Sequence, residues 1–195
     1  MQAVNIPDWY IQSCERVQYL FPKAHAVAYV LMAYRIAYCK VHHPKHFYAS
    51  YFTVRATDFD YTHVSKGSHY IKNFIKSVYQ QGFRASVLDK SIATYLELAN
   101  EMIERGYEFE KVDLYKSHPT KFLITEKGLR PPLASLAGVG NNAALSIAEA
   151  RDVNNPFISR EDLRQRAGIG KAVIERLADV GVLDDLPESN QIDLF

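Results

Sequence analysis

The chain has 195 residues, of which 48% are hydrophobic and 12% are aromatic, and its 23 Lys and Arg residues nearly balance its 22 Asp and Glu residues. This composition excludes a disordered chain, the absence of a long apolar run excludes a membrane span, and two cysteines are too few for a disulfide framework. We expect a cytoplasmic protein with no membrane partner.

Charge is distributed unevenly between the two parts of the sequence. Residues 1–106 hold 12 basic and 8 acidic residues, a net +4, whereas residues 107–195 hold 11 and 14, a net −3. If the second part binds nucleic acid, bulk positive charge is not the cause.

Helical spacing of apolar residues dominates the first half. The pattern from Pro22 to about Val41 predicts a mostly buried helix, which Pro44 ends, and an aromatic-rich helix is predicted directly after it. Two further amphipathic helices follow, each closed by a glycine C-cap: residues 68–81 with Gly82 and residues 87–105 with Gly106.

The second half opens with a change of pattern. Residues 107–112 and 121–125 alternate partly and predict two short strands that pair around the turn at residues 126–128. Helix and hairpin signals return over residues 131–186, and residues 187–195 predict a loose tail. The predicted fold class is mainly α, with a helical segment, a small β element and a tandem pair of helical hairpins.

A repeat of about 30 residues is the strongest internal signal. Each copy predicts a short helix, a Gly-apolar-Gly turn and a second helix, and the turns are Gly138-Val139-Gly140-Asn141 and Gly168-Ile169-Gly170-Lys171. Glycines are expected because the turn requires backbone angles that a Cβ penalises, and because a bare backbone lets N–H groups approach a phosphate. The following helix adds the positive end of its dipole. The pattern therefore indicates DNA-backbone binding with few basic side chains, and a purely structural helical repeat is the alternative.

Two basic residues, Lys23 and His25, lie in the first turn of the predicted helix that begins near Pro22. Positive charge there opposes the helix dipole. A triphosphate or DNA phosphate would account for both residues, and so would a solvated lysine beside a hydrogen-bonded histidine.

Two other patterns imitate metal sites. The first consists of Cys39, His42, His43 and His46, but Pro44 interrupts the helix that would align them. The second is Asp58-Phe59-Asp60, which has no third acid nearby. We therefore assign no metal ligand and no catalytic residue.

The C-terminal residues combine an amide with apolar anchors: Gln191, Ile192, Leu194 and Phe195. Such a peptide suits insertion into a pocket of a partner, and tethering to a DNA-bound module would strengthen a contact that is weak alone. A terminus that folds back onto its own core is the alternative.

Four segments of the first half resemble the late fingers region of the C-family bacterial replicative DNA polymerases: Pro7–Ile11, Tyr19–Ala26, Arg35–Tyr38 and His43–Phe52. With the repeat and the tail in the same order, the whole chain resembles the C-terminal part of the PolC-type DNA polymerase III alpha subunit. The resemblance implies fingers over residues 1–106, a duplex-binding tandem helix-hairpin-helix region over 107–186 and a clamp-binding tail over 187–195.

The resemblance also implies a role for each candidate site. Lys23 and His25 would lie near the incoming deoxynucleoside triphosphate, the two glycine turns would hold primer-template duplex, and the tail would bind the sliding clamp, the beta subunit. The enzyme is a DNA-directed DNA polymerase, a nucleotidyltransferase whose Mg²⁺ ions bind palm aspartates that this chain lacks. The chain alone is therefore expected to bind no cofactor, to depend on the rest of the polymerase chain and to be inactive.

Two other functions compete with the polymerase interpretation. The first is a stand-alone adaptor that binds DNA and the clamp without enzymatic activity. The second is a repair glycosylase or nuclease with Lys171 as its nucleophile, which would form a Schiff base with abasic DNA.

Overall fold

The computed structural model describes residues 6–16, 22–56 and 58–189. The chain divides into two compact units, residues 1–42 and residues 43–195. The first unit contains helix α1 (Asp8–Arg16) and helix α2 (Lys23–His42).

The long helix α2 buries none of its side chains. Large apolar residues such as Val30 and Tyr34 are 67% and 71% exposed, so the prediction of a mostly buried helix is wrong. Apolar residues identify a surface that is suited to burial, but burial also requires an element that covers it. Of the described helices, none combines the length and apolarity that crossing a bilayer demands.

The first part of the second unit contains the helices α3 (Pro44–Val54), α4 (Tyr61–Val64), α5 (Gly67–Gln81) and α6 (Val87–Glu104). The bounds of α5 and α6 match the predictions within one residue, and α3 follows α2 as predicted, but the short helix α4 was not predicted. Helix α3 begins at Pro44, as expected for a residue that suits the first helical turn. Gly82 caps α5, as predicted, and a 3₁₀ turn then reverses the chain so that α6 packs along α5.

A three-stranded sheet follows α6, and its pairing differs from the prediction. Strands β1 (Glu108–Phe109) and β2 (Leu123–Ile124) do not pair with each other, because β3 (Gly128–Arg130) lies between them. Strand β3 pairs antiparallel with β2 across the short turn and parallel with β1. The predicted turn therefore joins β2 to a third strand, which was too short to recognise from alternation.

Two pairs of helical segments complete the chain. The first pair is a 3₁₀ turn at Leu133–Ser135 and helix α7 (Asn141–Ala150); the second is α8 (Arg160–Ala167) and α9 (Lys171–Asp179). The first copy thus opens with one 3₁₀ turn and not with the predicted helix. Pro131 and Pro132 cannot donate backbone hydrogen bonds and leave only a few residues before the glycine turn.

Helix α8 begins with a reciprocal cap. The Oγ atom of Ser159 accepts a hydrogen bond from the amide of Asp162 at 3.0 Å, and the Asp162 carboxylate accepts one from the amide of Ile158 at 3.2 Å. This arrangement satisfies two backbone donors near the helix end and fixes where the second pair begins.

One hydrophobic core extends from α3 and α6 through the sheet to both helical pairs. Burial of each large apolar side chain contributes about 1.5–3 kcal/mol. The continuity of the core holds the two glycine turns on a rigid base. Its most deeply buried members include Tyr48, Phe52, Tyr95, Leu96, Met102, Leu129, Leu133, Ile147, Leu163 and Leu177.

Candidate nucleic-acid interface

The two helical pairs repeat each other in three dimensions. Each residue of the first pair has a counterpart 30 positions later (163 − 133), and four buried apolar positions coincide. The repeat recognised in the sequence is therefore a structural repeat. The matched buried pairs are Leu133 with Leu163, Val139 with Ile169, Ala144 with Ile174, and Ile147 with Leu177.

The first glycine of each turn is required by the backbone. Gly138 has a φ of 87° and Gly168 a φ of 62°. Both values lie in the left-handed region, where a side chain is strained. These two glycines agree with the expectation that a Cβ is penalised.

The second glycine of each turn has an ordinary backbone conformation. The expectation that these backbone angles penalise a Cβ is therefore wrong for the second glycines. Gly140 has φ/ψ of −68°/161° and Gly170 has −74°/158°. Any residue adopts these angles. An added Cβ would meet no atom within 4 Å at either position. The fold itself therefore does not require glycine at Gly140 or Gly170.

The apolar residue between the glycines anchors each turn. Val139 is 4% exposed and Ile169 is 8% exposed, and both belong to the main core. Because their side chains point inward, the flanking backbone is held at the surface.

The helix that follows each turn begins without a side-chain cap. Gly140 and Gly170 are the N-caps of α7 and α9, and neither has a side chain that could accept a hydrogen bond. Elsewhere in the chain Ser86 and Ser159 cap α6 and α8. No N-cap side chain therefore accepts hydrogen bonds from the first amides of α7 and α9, which lie at the positive end of the helix dipole.

Charged side chains are scarce at the first turn. No charged residue occurs from Pro131 to Ala148. In the second turn Lys171 is exposed, and its Nζ atom lies 3.5 Å from Oε1 of Glu175. Asn141 occupies the matching position of the first repeat and is also exposed. The arrangement suits an anion that is bound mainly by backbone N–H groups.

One residue at the first turn was missed by sequence reasoning. Arg176 of α9 donates a hydrogen bond from Nε to the carbonyl oxygen of Ala137 at 2.8 Å. Ala137 directly precedes Gly138 and lies 39 residues from Arg176. No local pattern signals such a contact.

The other predicted site residues belong to other parts of the chain. Lys23 is the first residue of α2 and is exposed; His25 is also exposed, and its ring meets that of Tyr29 edge-on at 4.5 Å. Both belong to the first compact unit. The predicted clamp-binding residues lie outside the described residues: Gln191, Ile192, Leu194 and Phe195.

The two carboxylates of Asp58-Phe59-Asp60, which imitate a metal site in the sequence, accept hydrogen bonds within the fold. Asp60 caps α4 by accepting from the amide of Thr62 at 2.9 Å, and Asp58 accepts from the hydroxyl of Ser91 at 2.6 Å. Across residues 6–16, 22–56 and 58–189, no group of three or more His, Cys, Asp or Glu side chains is arranged to hold a metal ion.

Comparison with known proteins connects this geometry to a family. A model described as the helix-hairpin-helix motif matches residues 106–192, which include both glycine turns. Over all 195 residues the chain is 54% identical to DNA polymerase III PolC-type of Clostridium perfringens and 55% identical to that of Halalkalibacterium halodurans. The identity to the PolC-type protein of Bacillus subtilis is 51%, again over the whole chain.

By sequence, the chain is similar over its full length to a segment of the PolC-type DNA polymerase III proteins. It covers 13% of the length of the Clostridium protein and 14% of the other two. It therefore corresponds to a segment of a PolC-type polymerase, and the structural repeat is the helix-hairpin-helix part of that segment.

Proposed function

We propose that this chain is the duplex-binding C-terminal segment of a DNA-directed DNA polymerase. Its two glycine turns hold the sugar-phosphate backbone of primer-template DNA without reading the base sequence. The single observation that carries this proposal is the pair Gly140 and Gly170, where glycine is present although the fold does not require it.

A phosphate that approaches the turn accounts for that choice of residue. Each of the two glycines is the N-cap of an uncapped helix, so a side chain there would stand between the ligand and the first amides. An anionic oxygen that accepts hydrogen bonds from these amides gains charge-assisted bonds and the helix dipole together. The absence of charge from Pro131 to Ala148 is compatible with such binding.

The names of the relatives support a polymerase more than a stand-alone adaptor. The whole enzyme would transfer deoxynucleotides with Mg²⁺. The described residues do not fit a metal site, because they include no suitable group of ligands. We assign the metal, and the catalytic step, to parts of the polymerase outside this chain.

Two further contacts belong to the same proposal. Lys23 and His25 would face the incoming deoxynucleoside triphosphate, and the exposed apolar side chains of α2 would be covered by the rest of the polymerase chain. Residues 191–195 would bind the sliding clamp. Tethering at the clamp would keep the duplex near the glycine turns at high effective concentration.

The decisive experiment replaces both second glycines by leucine in the 195-residue chain. Gly140→Leu with Gly170→Leu should weaken binding to a fluorescent 20-base-pair duplex by about tenfold or more, because charge-assisted backbone contacts are lost. The free energy of unfolding should change by only about 1 kcal/mol, since the angles are ordinary and the space is open. Fluorescence anisotropy and chemical denaturation measure the two quantities.

A matched control should change stability but not duplex affinity. Gly67 has a φ of 82° at the start of α5, far from the glycine turns in sequence. Gly67→Ala should lower stability by about 1 kcal/mol through strain but leave duplex affinity unchanged. If the double leucine variant is folded and binds duplex as tightly as the unaltered chain, the proposal is wrong.

A further inference from the structure

We propose that Arg176 is a positioning residue that makes the first glycine turn depend on the second repeat. The inference rests on the proposed duplex binding and adds to it: Arg176 does not touch the DNA, but holds the turn that does. The two repeats then bind DNA as one unit and not as two independent modules.

The contact joins α9 to the backbone of the first turn. The Nε atom of Arg176 donates to the carbonyl of Ala137 at 2.8 Å. The side-chain stem also covers the next residue, because a Cβ built on Gly138 would lie 3.2 Å from Cγ of Arg176. One side chain thus fixes a carbonyl and lies against the glycine whose left-handed φ shapes the turn.

The charge of Arg176 is already paired. Its Nη1 atom lies 3.6 Å from Oδ2 of Asp179, one helical turn later. The pair is partly exposed, so its energetic value is small, but the acid lowers the positive potential that a phosphate would meet. This supports a role in positioning rather than in direct phosphate binding.

The Arg176 contact has no equivalent in the other repeat. The residue of α7 that corresponds to Arg176 is Ser146 (176 − 30), whose side chain is much shorter. Gly168, the counterpart of Gly138, has no atom within 4 Å of an added Cβ. The second turn instead follows the full helix α8, whereas the first follows only a 3₁₀ turn. The first glycine turn, which has less helix before it, is therefore the one that Arg176 contacts.

Three variants of the 195-residue chain separate the parts of this contact. Arg176→Met keeps the apolar stem but removes the donor, Arg176→Lys keeps the stem and a donor, and Ser146→Ala alters the matching position of the first repeat. Duplex affinity is measured by anisotropy at several salt concentrations, and unfolding is followed in parallel.

We expect Arg176→Met to weaken duplex binding about three- to tenfold, as for the loss of one hydrogen bond. The slope of log affinity against log salt should stay unchanged, because no phosphate contact is removed. Arg176→Lys should retain more affinity than Arg176→Met, and Ser146→Ala should match the unaltered chain.

Two results would overturn the inference. If a folded Arg176→Met variant binds duplex with unaltered affinity, the hydrogen bond from Arg176 to Ala137 is unnecessary for binding. If the slope of log affinity against log salt becomes smaller by about one, Arg176 contacts a phosphate directly. The proposed function is judged separately. If the Gly140 and Gly170 replacements weaken binding but Arg176→Met does not, only the inference about Arg176 fails.

Discussion

The backbone of Glu108 lies against Gly128 so closely that a Cβ added to the glycine would stand 2.1 Å from the Glu108 carbonyl oxygen. These residues are the paired partners at the start of the parallel β1–β3 ladder. Glycine is therefore needed at this point of the sheet for space.

The first prediction concerns the close contact between Gly128 and the backbone of Glu108. Gly128→Ala should lower the free energy of unfolding by about 1–3 kcal/mol, because the ladder must shift to accommodate the methyl group. Chemical denaturation measures the change, with Lys127→Ala, at an exposed neighbour, as the control. A stability equal to that of the unaltered chain would contradict the parallel pairing.

The second prediction concerns pH and His118. Its Nδ1 atom accepts hydrogen bonds from the amides of Thr120 and Lys121, each at 3.0 Å. Burial lowers the pKa of His118 below its ordinary value of 6.5, and the charges of Lys121 and Arg151 lower it further. Protonation therefore favours the unfolded chain, so this contribution to stability is present above the unfolded pKa and is lost as the pH falls towards the folded pKa.

His118→Asn provides the test. Asparagine can accept the same two bonds through its side-chain oxygen, but it does not titrate. Stability measured from about pH 8 to pH 5.5 should fall less in this variant than in the unaltered chain. Parallel pH profiles for the two proteins would show that His118 does not titrate with unfolding.

The third prediction concerns salt. Because the glycine turns would use backbone amides, the salt dependence of duplex binding should be shallow and correspond to about two to four released counterions. A titration of affinity against potassium chloride gives this number. A value near eight would indicate a lysine-rich surface elsewhere on the chain.

The fourth prediction concerns the tail. Deletion of residues 191–195 should abolish binding to the purified sliding clamp but leave duplex affinity unchanged, since the tail would act as a separate peptide anchor. Clamp pulldown and duplex anisotropy on the same preparation test both statements. Equal loss of both activities would refute a separable tail.

The fifth prediction concerns catalysis. The 195-residue chain should incorporate no nucleotide into a primed template with Mg²⁺ and all four deoxynucleoside triphosphates, because two-metal phosphoryl transfer needs carboxylate ligands that we place outside it. A gel-based extension assay with a complete polymerase as the positive control is sufficient. Measurable incorporation would overturn that placement.

The sequence by itself determined the features that depend on neighbouring residues. The bounds of α5 and α6, the cap at Gly82 and the two glycine turns all follow from interactions within a few positions of the chain. Periodicity, capping and the 30-residue repeat record such interactions directly.

Only the tertiary structure decided the contacts between distant residues. It placed β3 between β1 and β2, left α2 exposed and brought Arg176 to the carbonyl of Ala137. It also showed that the backbone conformation requires glycine at Gly168 but not at Gly140, because backbone angles and free space at a position depend on how the chain packs. Packing joins segments that are far apart in sequence, and local patterns do not specify which segments meet.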